Sequence, residues 1–350
     1  MKTVKKFTEE EFLTYNQIVK KHEKEPAPSF VWAGITQQSI GTFFGPPKSG
    51  KTTFCECLAI HLAVGRKKFF DQKLEGKPRK VLFLGLEESW IMRVKRNRNQ
   101  ALDLTEDEKK LLGTNYCYQG IDFLRIISKP QDWNRLRKLI VASGADIVFI
   151  DSVTRLNHGS LDKGSDAEKI MLNLRDICLD LKITLVCIHH TPKIGNSPLS
   201  MDSMRGSVVF AQESDFIIGV RKAVGGTRYL KNIEFRYMEC DDSKVFKFEF
   251  TQNSNIKFLG TGNEYEILEG MDGRIAADSR SKIVDIVSSD CKRKSTKELV
   301  TAIKKELGIE ERQIKSFLSD LVKHGKIKRP ERGYYCSINC PEKGGNDEEE

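Results

Sequence analysis

The run Gly45, Pro46, Pro47, Lys48, Ser49, Gly50, Lys51, Thr52 limits what this chain can be more than any other stretch. It fits G-x-x-x-x-G-K-[ST], in which backbone N–H groups cradle phosphate oxygens, the lysine reaches the outer phosphates and the hydroxyl binds magnesium. At average residue frequencies a chance match arises in only about one chain in a hundred of this length. The surroundings fit as well. Ile40 to Phe44 reads as a short buried strand leading in, and Thr53 to Val64 as a helix leading out. That order sets a helix N-terminus, with its partial positive charge, against an anion. An ordinary Gly/Pro turn is the alternative. The candidate nucleotide-binding residues are Gly45 to Thr52, with Thr53.

The rest of the chain can bury a core around such a loop. It has 350 residues, 39% hydrophobic and 31% charged, enough for one large domain and a small second one. No apolar run approaches the roughly 20 residues of a membrane span. The charged stretch Met1 to Glu10 lacks the apolar core of a secretion signal, so a cytoplasmic location is expected. Nine cysteines without C-x-x-C spacing read as reduced, mostly buried thiols, Cys336 and Cys340 as half a metal site being the remote alternative. The net charge of +9 suits a polyanionic partner or simply solubility.

Residues 7 to 22 form a candidate helix with Phe7, Phe12, Tyr15, Ile18 and Val19 near one face. That face must be buried, against a neighbouring subunit or against the chain's own core. Beyond the phosphate loop, Val81 to Leu86 reads as a buried parallel strand ending in Glu87 and Glu88, where α/β sheets carry out chemistry. Arg93, Lys95, Arg96 and Arg98 on the next helix face nucleic acid or solvent. Ile147 to Ile150 ends in Asp151, as in the magnesium-holding strand of phosphate-loop NTPases; a helix-capping aspartate is the alternative.

Thr184 to Ile188 ends in His189 and His190, which could bind metal but lack a third ligand at suitable spacing; a sensor of the terminal phosphate fits better. A polar loop, Lys193 to Met204, follows. Arg205, Gly206 and Ser207 open a helix, and Asp215 to Val220 is a strand. Tyr229 to Met238 and Val245 to Phe250 then alternate as an antiparallel hairpin at the sheet edge. Residues 252 to 278 show little periodicity and read as a linker.

The last segment changes character. Ser279 to Ser289 is helical, Ser295 to Glu298 is a capping box opening a second helix, and Glu310 to His324 is a third. Two short strands, Ile327 to Arg329 and Tyr334 to Ser337, complete a winged helix. From Ser279 to Ser337 there are 15 Lys and Arg against 8 Asp and Glu, a net +7, which favours DNA as partner over a protein-docking role. Lys294, Arg312, Lys315 and Arg332 are the candidate contacts here, with Lys193 in the polar loop. The tail from Gly344 is acidic and expected to be disordered.

In this order the elements resemble the RecA-like ATPase core of the hexameric replicative helicases, most closely the plasmid RepA type, from about Phe30 to about Phe235. The resemblance implies an α/β core with a mostly parallel sheet flanked by helices. It divides the chain into an N-terminal helix and linker (1–28), an ATPase domain (29–255), a linker (256–278), a winged helix (279–337) and an acidic tail (338–350). It also implies ATP and Mg2+ as cofactors and a ring, expected to be a hexamer, around single-stranded DNA without membrane attachment.

By the same resemblance Glu87 orients or deprotonates the attacking water, and Lys51 offsets charge on the transferred phosphate. Thr52 and Asp151 hold magnesium, and His190 senses the terminal phosphate for the loop carrying Lys193. Arg205 is the arginine finger given to a neighbour, with Arg228 or Lys231 as further cations in trans. The expected function is an ATP-dependent helicase or translocase in replication of a plasmid, phage or mobile element. The alternative is a regulatory or repair ATPase that binds DNA through its winged helix without unwinding.

Overall fold

The computed structural model describes residues 12–25, 28–157, 164–191, 194, 197–204, 207–223, 226–268, 273–290, 292–309, 311–323 and 325–340. Phe7, part of the loop after Leu156, Lys193, Arg205 and the tail from Gly344 therefore lie outside the described residues. Contacts divide the chain into two compact units, Met1–Tyr265 and Glu266–Glu350.

The first unit opens with α1 (Tyr15–Lys24), a small hairpin of β1 (Phe30–Trp32) and β2 (Ile35–Thr36), then β3 (Ile40–Gly45) and α2 (Lys51–Val64). A second small hairpin, β4 (Lys68–Phe69) and β5 (Gln72–Lys73), leads to β6 (Val81–Gly85), α3 (Trp90–Gln100), α4 (Glu106–Asn115) and β7 (Tyr116–Tyr118). Next come α5 (Pro130–Ser143), β8 (Ile147–Asp151), α6 (Gly164–Leu181), β9 (Thr184–His190), α7 (Ser207–Glu213) and β10 (Phe216–Lys222). The unit closes with β11 (Arg228–Phe235), β12 (Lys244–Phe250), β13 (Ile256–Asn263) and the start of α8 (Glu264–Leu268).

Nine of these strands form one sheet in the order β13-β12-β11-β10-β3-β9-β8-β6-β7. Six of them, β10 through β7, run parallel, and β11, β12 and β13 are antiparallel. The inner parallel strands are buried along their length, which is why they read as continuous apolar runs rather than alternations. The α2 helix is apolar nearly all round because sheet and loops enclose it. Phe54 packs among Trp32, Phe43, Phe69, Phe70 and Phe248, with ring centroids 5.1 to 6.0 Å apart. Gly65 stops the helix at φ 73°, a left-handed conformation that favours glycine.

Residues 256–263, expected to be linker, instead form the outermost strand, β13, paired with β12. The hairpin of β11 and β12 is thus covered rather than at the edge. The apolar alternation of Ile256 and Phe258 is broken by Gly260 and Gly262, which hides the strand from periodicity. The α1 helix buries no residue, and Phe12, Leu13, Tyr15 and Ile18 are exposed, so among the described residues its apolar face does not pack on the chain's own core.

The second unit contains α9 (Gly273–Ser288), β14 (Lys294–Ser295), α10 (Thr296–Leu307), α11 (Glu311–Lys323), β15 (Ile327–Glu331) and β16 (Tyr334–Ser337). The three helices enclose Ile283, Val287, Leu299, Ile303, Ile314, Phe317 and Leu318. The sheet has three strands, β14-β16-β15, one more than the sequence suggested, because β14 is only two residues long. Ser295 and Glu298 form the expected reciprocal cap: Glu298 N donates to Ser295 Oγ at 3.2 Å and Ser295 N to Glu298 Oε2 at 2.7 Å.

Candidate functional site

The parallel register brings the chemistry together. Gly45 pairs with His190, and Gly85 with Asp151, so the loop, the acidic pair, the aspartate and the paired histidines all leave the same end of adjacent strands. Gly45 and Gly50 are required by geometry. A Cβ on Gly45 would stand 2.0 Å from Val220 O, and one on Gly50 2.7 Å from the Phe250 ring, with both residues at positive φ.

Pro46, Pro47, Lys48 and Ser49 complete the loop, and the Ser49 hydroxyl is buried without a hydrogen-bond partner among the described residues. The first intrahelical donor of α2 is Phe54 N, to Gly50 O at 2.9 Å, which leaves the N–H groups of Lys51, Thr52 and Thr53 directed out of the helix start. An orphaned buried hydroxyl, unpaired amides and a positive helix end fit a polyphosphate. Lys51 is 3% exposed and its Nζ donates to Gly45 O at 2.8 Å and Pro46 O at 2.9 Å. Burial brings its pKa down to about 8, partly offset by Asp151.

Thr52 Oγ1 donates to Asp151 Oδ2 at 2.7 Å. Burial raises the Asp151 pKa, and the Thr52 bond opposes that rise. A hydroxyl and a carboxylate oxygen at this spacing are the hard donors magnesium prefers, so the pair fits the ion.

Glu87 faces the same space. Its Oε1 accepts from Ser152 Oγ at 2.5 Å and Thr154 Oγ1 at 2.7 Å, and its Oε2 from His190 Nε2 at 3.3 Å. The His190 bond, then those of Ser152 and Thr154, pull the Glu87 carboxyl down to about 2 against partial burial. Such an acid is ionised at neutral pH and a weak base, suited to orienting a water more than to taking its proton. Ser152 and Thr154 were not singled out in the sequence, although they directly follow Asp151. Glu88 points elsewhere, to Arg96, so only one member of the acidic pair joins the loop.

The basic run on α3 divides. Lys95 and Arg98 are exposed; Arg93 is 1% exposed, and Arg96 is held in internal ion pairs.

Two expected trans cations are corrected. Lys231 is buried, with Nζ 2.7 Å from Glu264 Oε2 and donating to Leu199 O at 3.0 Å, so it anchors the polar loop from within. Glu264 also accepts from Leu199 N at 2.7 Å and Tyr229 Oη at 2.8 Å. Arg228 stacks on Phe250, 4.9 Å from its centroid, and its Nε lies 3.4 Å from where a Gly50 Cβ would be; it belongs beside its own loop. Phe250 was missed because it reaches the loop across two hundred residues of chain.

Of the DNA candidates, Lys294 is also corrected. Its Nζ donates to Ile286 O at 2.5 Å and Ser289 Oγ at 2.7 Å and pairs with Asp290 at 3.2 Å, closing the end of α9. Lys315 is exposed and paired with Glu311 at 2.6 Å. Arg332 is exposed in the wing, near exposed Lys326, Lys328 and Arg329. Arg312 lies on α11, its side chain outside the described set.

Fold and site define a RecA-like phosphate-loop NTPase core followed by a winged-helix domain. The chain belongs to the AAA domain family, which matches residues 8–196, more than half of its length. Residues 275–338 match the MCM protein C-terminal winged helix-turn-helix domain. Among solved structures, the chain is similar in fold to the ATPase domain of a helicase, at TM-score 0.50 and 13% identity, over 69% of this chain and 95% of that one. No curated protein matches the sequence. No helix among the described residues is long and apolar enough to cross a membrane.

Proposed function

We propose that this protein hydrolyses ATP and acts on DNA as a ring-shaped homo-oligomer, a hexameric helicase or translocase serving replication of a plasmid, phage or mobile element. The observation that carries the reading is the contact between Glu87 and His190 beside the phosphate loop. His190 stands at the root of the polar loop 191–204, so a change at the phosphate reaches that loop through a single side chain.

The loop amides and Lys51 bind the phosphates, and the Phe250–Arg228 stack offers the base a flat surface. Thr52 and Asp151 hold Mg2+, which when bound neutralises charge on the phosphates. Glu87, fixed by Ser152, Thr154 and His190, orients the attacking water in line. Arg205 is assigned to the neighbour's site, where a finger is worth about 10³ to 10⁵ in rate. The exposed apolar face of α1 and the exposed Trp90, Ile91 and Met92 on α3 supply surfaces that oligomerisation would cover.

Strand displacement by the wild type and by Lys51→Ala tests the proposal. ATP-dependent unwinding lost in the variant supports it. DNA-stimulated hydrolysis without unwinding favours the regulatory ATPase, and a monomer turning over ATP at full speed removes the ring.

A further inference from the structure

Glu88 gives the site a second layer. Arg96, 19% exposed at its side chain, uses its planar fork twice. Nε and Nη2 donate to Glu56 Oε2 and Oε1 at 2.5 and 2.8 Å, while Nη1 and Nη2 donate to Glu88 Oε1 and Oε2 at 2.9 and 2.5 Å. Four of the five guanidinium N–H groups are thereby engaged by two carboxylates.

The two carboxylates belong to the two halves of the hydrolytic site. Glu56 is fully buried on α2, four residues after Thr52 and so on the same helix face. Glu88 follows Glu87 at the end of β6. Arg93, one turn before Arg96, lies against Gly85 with its Nε 3.7 Å from Glu56 Oε1 and its guanidinium 5.4 Å from the Phe83 centroid. Two cations and two anions thus balance in one cluster. Burial raises the Glu56 pKa, and the Arg96 bonds lower that of Glu88.

We propose that Arg96 is a positioning residue that ties the strand end bearing Glu87 to the helix bearing Lys51 and Thr52, fixing the water-orienting carboxylate relative to the bound phosphates. The inference rests on the reading of Glu87 as the water-orienting group. Arg96 touches neither nucleotide nor water. Its effect is on the geometry of the next residue along, where a displacement of about 1 Å costs about 10²-fold in rate. Lysine cannot replace it, because a single ammonium does not present two forks.

The test is steady-state ATP turnover, with affinity for a non-hydrolysable ATP analogue and thermal melting measured alongside, in Arg96→Lys, Glu88→Gln, the double variant and Glu87→Gln. Arg96→Lys and Glu88→Gln should each lower kcat by about 10- to 100-fold. KM and analogue affinity should stay within about threefold, and the double variant should be no worse than the poorer single one. Arg96→Met combined with Glu56→Gln removes the buried charge together with its partner and keeps the test valid if Arg96→Lys folds poorly. It should show the same selective loss of kcat.

Near-normal kcat in the Arg96 variants with Glu87→Gln inactive overturns the proposal and leaves the Glu87 reading standing. Losses that multiply in the double variant, or that follow melting temperature or analogue affinity, also overturn it. Full turnover in Glu87→Gln instead overturns the parent reading.

Discussion

His190 Nε2 stands 3.3 Å from Glu87 Oε2, joining the ends of two strands that are separated in the sheet by β8. As a carboxylate only accepts, the imidazole donates, and that bond is the largest cause of the depressed Glu87 pKa. His190→Ala should therefore raise the Glu87 pKa toward the ordinary carboxylate value, and the acid limb of kcat/KM should move to higher pH. A glutamine at this position keeps a donor and should recover part of the shift. Stopped-time ATP assays across about pH 4 to 7, or carboxyl titration followed by NMR, read the displacement.

Lys51 sets the opposite limb. Its folded pKa, about 8, lies below the ordinary lysine value because burial disfavours the ammonium. The free protein thus loses the charge as pH rises through about 8, and kcat/KM for ATP should fall about tenfold per pH unit above it. For stability the sign is the reverse: the buried ammonium costs stability below the folded pKa, and that cost disappears as pH rises toward the unfolded value. Lys51→Arg should abolish the alkaline limb whatever its remaining rate.

Much of this site was legible because phosphate binding constrains backbone as well as side chains. Gly45 and Gly50 had to be glycines, and the buried parallel strands declared themselves as apolar runs ending in Glu87, Asp151 and His190. What sequence could not convey was direction and partnership across long separations. Lys231 and Arg228 read as cations for a neighbour, yet Glu264 and Phe250, distant along the chain, engage them within the subunit. Glu87 and Glu88 read as equivalents, although successive residues leaving a strand face opposite ways and only Glu87 reaches the phosphate loop. The β13 strand stayed hidden because two glycines interrupt its alternation.

Asp151 exposes a conflict between stability and function. Burial raises its pKa, so in the folded protein the ionised form costs stability that is absent at low pH and grows as pH rises above the unfolded value. Asp151→Asn removes the charge while preserving shape and an acceptor for Thr52. Without nucleotide or magnesium, this variant should melt at or above the wild-type temperature at about pH 7, with ATP turnover reduced by about 10²-fold or more. Calorimetry beside a phosphate-release assay decides it, and a large drop in melting temperature would contradict the argument.

In the winged helix, charge alone does not identify the DNA-binding side chains, because Lys294 is consumed in closing α9 while Arg332 is exposed on the wing with Lys326, Lys328 and Arg329. Lys294→Ala should lower stability, since Ile286 O and Asp290 lose their partner, and leave duplex affinity nearly unchanged. Arg329→Ala with Arg332→Ala should weaken duplex binding at every sequence and reduce the slope of log K against log salt by about 0.9 for each phosphate no longer neutralised. Fluorescence anisotropy between about 50 and 200 mM salt separates the two variants. An unchanged slope in the wing variant assigns this domain to protein docking, because only neutralised phosphates release counterions.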